Sequence, residues 1–147
     1  MRILLGFMVG ALSMLTFHQG MWEALHIMKI PKLLLPHAFA LAPAEPWGLP
    51  RIANSCLFGG VFGSIFALLI PRFTFPLWFC GLLMGGVAAV INLRFFPDLT
   101  GSSRDTAWNI YNGMRMLLLD GAYGFGLGVL SPLFIHGSGG WSGFRHE

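Results

Sequence analysis

The chain has 147 residues, 55% of them hydrophobic and only 10% charged, with a net charge of +3 and a mean hydropathy of +0.69. Soluble domains carry about 25% charged residues, so these few charges cannot cover a water-facing surface. The composition fits an all-α, polytopic membrane protein forming one domain over 1–147. Its Lys and Arg residues are scattered rather than massed on one segment, and they give no nucleic-acid signal.

A bilayer-spanning helix needs about 20 mostly apolar residues, and four segments qualify. The first runs from about Ile3 to Phe17–Gln19, with helical character continuing toward Met28. Arg2 ahead of an apolar run resembles a signal peptide, but no A-x-A-like cleavage site follows and "TFHQGMW" is too bulky for one. A retained anchor is expected. There is also no lipidation signal, since Arg2 excludes myristoylation and the C-a-a-X box is missing.

The connection over about 20–51 has helical character in "MWEALHIMKI", followed by the apolar, proline-punctuated "PKLLLPHAFALAPAEPWGLP". Its prolines bar one straight helix, so this loop is expected to lie on or dip into the membrane interface. The second span is Ile52 to Ile70. Only "PRFTF" separates it from the third, Pro76 to Phe96, so the two run antiparallel. The fourth span is Met114 to Ile135.

Each span holds a glycine pair at four-residue spacing: Gly6/Gly10, Gly59/Gly63, Gly81/Gly85 and Gly124/Gly128. Such pairs let two helix backbones approach closely in lipid. Gly6/Gly10 and Gly81/Gly85 are offset by 75, while Gly60/Gly121, Gly63/Gly124 and Pro71/Pro132 are offset by 61. The pattern predicts a tandem repeat of two helical hairpins, related by an axis along the membrane normal.

Four spans place the N-terminus, "PRFTF" and the C-terminus on one side (A) and the two longer loops on the other (B). Side A holds Arg2, Arg72 and Arg145; side B holds Lys29, Lys32, Arg51, Arg94, Arg104 and Arg115. The positive-inside bias puts side B in the cytoplasm. Trp78 and Trp141 near side A, with Trp22, Trp47 and Trp108 near side B, suit an interfacial aromatic belt. Cys56 and Cys80 start from opposite sides at depths differing by roughly 15 Å, too far for a disulfide.

Polar residues gather toward side B. The first span brings His18 and Gln19 there, the second Arg51, Asn54 and Ser55, the third Asn92 and Arg94, and the fourth Arg115 and Asp120. An acid at membrane depth is costly and marks a functional site by default, so Asp120 leads this candidate cluster. An Asp near a helix start can equally bond backbone or pair with Arg115 or Arg94.

No catalytic residue is expected, because nucleophile-elbow, P-loop and dinucleotide-binding motifs are all missing from the sequence. His18 and His26 stand about 80° apart on a helix and do not share a ligand easily. "EALH", Glu23 to His26, has the E-x-x-H spacing of di-iron bundles, but those sites use two copies plus two further Glu and one copy is present. No metal site is expected. Haem held by His18 with His26 or His37 would require the loop to fold back.

"MRILLGFMVGALSMLTFHQG", the proline-rich loop ending "PWGLP", and "FGGVFGSIFALLIP" together resemble a family of small, uncharacterised four-span proteobacterial inner-membrane proteins. The resemblance covers most of the chain and is most specific at Phe17-His18-Gln19-Gly20 and "GGVFG". It implies a multi-pass protein of the bacterial inner (plasma) membrane and carries over no activity. The expected function is a structural or accessory subunit of a larger membrane complex. Its partners would be lipid and another membrane protein, or further copies of itself. The alternatives are a small oligomeric transporter or channel using the polar cluster, and a haem- or quinone-binding redox subunit.

Overall fold

A computed structural model describes residues 1–44, 48–95 and 109–135. The chain is mostly helical. Among the described residues, four helices are long and apolar enough to cross a membrane: α1 (Arg2–Met28), α2 (Arg51–Arg72), α3 (Leu77–Phe95) and α4 (Ile110–Ile135).

α1 is continuous to Met28, so helical backbone covers the start of the first loop and the irregular connection begins only at Lys29. Inside it, Met14–His18 widens into a π-turn. Lys29 ends the helix by adopting φ 48°, the left-handed conformation that stops a helical ladder. Two short strands, Pro43–Ala44 and Leu49–Pro50, pair antiparallel before α2. The first N–H groups of α2 are taken up by that same loop: Arg51 N–H bonds Ala42 O at 3.0 Å and Ile52 N–H bonds Ala40 O at 3.3 Å. The last turn of α2, Ile70–Arg72, tightens to a 3₁₀ form at Pro71, and α3 follows at once. α4 keeps Pro132 inside its last turns.

The packing order is α2–α1–α4–α3. α1 packs along α2, α4 packs along α3, and α1 meets α4 in the middle. α2 and α3 touch little although "PRFTF" joins them. The reason lies in where the small residues face. A Cβ at Gly10 would strike the Gly59 carbonyl and one at Gly63 would strike Gly6, so α1 and α2 meet backbone to backbone. Likewise Gly81 abuts Gly124 and Gly128, and Gly85 abuts Asp120, joining α3 to α4.

The central seam is larger and partly polar. Phe17 of α1 fills the space over Gly126, with its ring 6.2 Å from that of Phe125. Ser13 Oγ donates to the Tyr123 carbonyl at 2.6 Å, and Tyr123 Oη donates to the Gly59 carbonyl at 2.7 Å. Both bonds are buried, so neither has water as a competitor. Val9, Met14, Phe66 and Leu127 close the apolar core around them. Outward-facing residues include Leu4, Met8, Val61, Ile65, Val87 and Leu117, all exposed. Exposed apolar rows on all four helices are what a bilayer-facing bundle presents. Cys56 and Cys80 are both free thiols.

Candidate functional site

The π-turn delivers His18 to the seam, where it faces α4. Its Nε2 lies 3.8 Å from Asp120 Oδ1, beyond direct hydrogen-bond range. The other carboxylate oxygen, Oδ2, accepts from Asn92 Nδ2 at 3.0 Å. Asp120 is fully buried and His18 is 6% exposed. Three helices, α1, α3 and α4, therefore converge on one carboxylate. Neither His18 Nδ1 nor Asp120 Oδ1 makes a hydrogen bond among the described residues. A buried carboxylate with one oxygen held and the other open toward an imidazole can hold a proton. π-turns inside helices recur at functional sites, and here the turn sets the register of His18.

The remaining predicted residues lie around this trio at varying distance. Asn54 is fully buried on α2. Gln19 is buried, and its Oε1 accepts the Phe39 N–H at 2.9 Å. Arg51 lines, with Gln19, Trp22, His37 and Ser55, a cavity of about 10 Å³, the size of a single water. Arg115 reaches the Lys32 carbonyl through Nη2 at 3.4 Å. Arg94 is exposed against the Phe95 ring and takes no part in the trio. Trp47, Arg104, Trp108, His136, Trp141, Arg145 and Phe96 lie outside the described residues.

A second polar arrangement lies at the end of α1. Gln19, Trp22, Glu23 and His26 share one helix face by their spacing. Each holds a backbone group of the loop between Leu35 and Phe39. Phe39 N–H goes to Gln19, Ala38 N–H goes to Glu23 Oε2 at 2.9 Å, Trp22 Nε1 donates to Pro36 O at 2.8 Å, and His26 Nδ1 meets Leu35 O at 2.7 Å. Leu35 is buried with Trp22, Leu25 and Leu119 beneath these bonds. The "HQGMWEALH" run is thus largely a fastener for the loop. Burying Leu35 leaves its carbonyl in need of a partner, and His26 of the helix supplies it.

The sequence does not single out Ser13 or Tyr123, although their bonds tie the two halves of the bundle. A lone Ser and a lone Tyr in apolar spans carry no spacing signal. The sequence points to His37 only as a possible partner of His18; the folded-back loop instead brings it to Glu23, its Nδ1 3.2 Å from Oε1. Comparison with protein families, curated proteins and solved structures found no match.

Proposed function

We propose that this chain is a multi-pass protein of the bacterial inner membrane, built as two tandem hairpins, and that it acts as an accessory subunit of a larger membrane complex. One observation carries the accessory reading. Buried polar groups on all four helices bond across helix boundaries, through Ser13–Tyr123, Tyr123–Gly59 and Asn92–Asp120. Such bonds specify a single rigid arrangement, and the apolar outer faces are left for lipid or a neighbouring protein.

The repeat draws support from the contact register. Gly6 meets Gly63 as Gly81 meets Gly124, and Gly10 meets Gly59 as Gly85 meets Asp120. Those pairs reproduce the offsets of 75 and 61 in the sequence. Close glycine contact also suits association in lipid, where apolar burial gives helices little reason to pair. In this register Asp120 occupies the place of Gly59, so the acid belongs to one hairpin alone.

Purification in mild detergent tests the accessory role. A stoichiometric partner should accompany the chain, and recovery as a lone species would overturn the reading. A second reading, a small proton-coupled transporter, is favoured by the open Asp120 oxygen 3.8 Å from His18. Under it, Asp120→Asn abolishes proton-linked flux in liposomes, and unchanged flux removes the idea.

A further inference from the structure

We propose that Glu23, His26 and His37 form a three-donor site for a borderline divalent transition-metal ion, with Zn²⁺ the best match. One ligand atom from each residue lies within 4.8 Å of the other two. Glu23 and His26 stand one turn apart on α1. His37 arrives from the loop, and its ring lies 3.8 Å, centroid to centroid, from that of His26. His37 Nδ1 is 3.2 Å from Glu23 Oε1.

The donor chemistry points to such a metal. Two imidazoles and one carboxylate make the His₂Glu set of zinc sites that keep a fourth position open. Imidazole nitrogen with carboxylate oxygen disfavours Ca²⁺ and Mg²⁺, which prefer all-oxygen shells. The surroundings are also those of a metal ligand set. His26 Nδ1 lies 2.7 Å from the Leu35 carbonyl, an acceptor only, so this nitrogen carries the proton and donates. Nε2 is then left with the lone pair, the tautomer that a backbone carbonyl imposes on metal-binding histidines. Glu23 Oε2 is held by the Ala38 N–H, which leaves Oε1 directed at the histidines.

The loop is fixed without a metal. Leu35 is buried, and Trp22 and Gln19 bond the loop on either side of His37. His37 is therefore pre-positioned, and its ordering adds little to the cost of binding. Donor atoms around Zn²⁺ at 2.0–2.1 Å lie about 3.3 Å apart. The remaining gap closes by rotation of the His37 ring, whose side chain is 79% exposed. The ion would lie at the side-B end of α1 and lock the loop onto that helix. The site needs no second E-x-x-H copy, because it is mononuclear and its third donor comes from the loop.

The test uses the full chain in detergent, with any affinity tag removed and metals stripped by chelator. Co²⁺ is titrated while its visible d–d bands are followed, and Zn²⁺ is then added to displace it. The expected result is one equivalent per chain, with Kd raised at least about tenfold by His37→Ala and by Glu23→Gln. Because His37 is exposed, its removal leaves the fold intact, which circular dichroism verifies. Zn²⁺ should also slow trypsin cleavage after Lys32 in the wild type and not in His37→Ala. Failure of the wild type to bind Co²⁺ or Zn²⁺, or equal binding by both variants, overturns the proposal.

Discussion

Gly85 and Gly86 are neighbours in sequence and opposites in surroundings, so they isolate the contribution of backbone contact to this bundle. A Cβ at Gly85 would fall on the Asp120 carbonyl, 3.0 Å from its carbon and 3.2 Å from Gly121 Cα; at Gly86 it would meet nothing within 4 Å. Carbon atoms rest at about 3.5–4.0 Å, so the carbon contacts alone force α3 and α4 apart by roughly 0.5 Å in Gly85→Ala, and the closer carbonyl oxygen demands more. The obstacle is backbone, which cannot rotate away as a side chain would. Overpacking of this kind costs about 1–3 kcal/mol, partly offset by a helix-propensity gain of at most about 1 kcal/mol. Gly86→Ala takes the gain without the cost. The two variants should differ by about 1–3 kcal/mol, or roughly one to two decades in the unfolding constant. Unfolding in mixed detergent–dodecyl sulfate micelles, followed by tryptophan fluorescence, reads this difference. If Gly85→Ala proves as stable as Gly86→Ala, the account of α3–α4 packing is wrong.

Tyr123→Phe removes the 2.7 Å bond to the Gly59 carbonyl and should lower stability by about 0.5–1.5 kcal/mol in the same assay. Asp120→Leu strands the Asn92 amide that donates to it and should cost about 1–3 kcal/mol. Asp120→Asn keeps an acceptor there and should cost less, and the reverse order would refute the pairing. Cys56 and Cys80 are free, so an unreduced, denatured sample should titrate two thiols per chain. Gln19→Ala releases Phe39 N–H and should speed proteolysis of the loop after Lys32, measured by the appearance of the cleaved fragment.

The spans were readable because long apolar runs bounded by prolines and charges leave few alternatives. The convergence of His18, Asn92 and Asp120 was readable for a related reason: alternating helix directions bring the end of one helix level with the start of the next. Depth alone, however, says nothing about rotation. Gln19 bonds the loop and Arg94 is exposed, although each is within two residues of a trio member, because a one-residue step turns a side chain by about 100°. The metal-ligand geometry was hidden for another reason. "EALH" supplies two donors, and the third is eleven residues further on, past the helix end. The burial of Leu35 and the bonds of Gln19, Trp22 and Glu23 to the loop turn it back far enough to bring it close.

What the sequence by itself determined is the number of apolar helices and the glycine faces available to join them. Both follow from local composition and from a period that any helix must obey. The tertiary structure alone decided which helix each face chose, what His18 meets across the seam, and how the loop lies on α1. Those outcomes depend on helix rotation, on the widened turn at Met14–His18 and on a reversal at Lys29, and each is settled by packing between residues far apart in the chain.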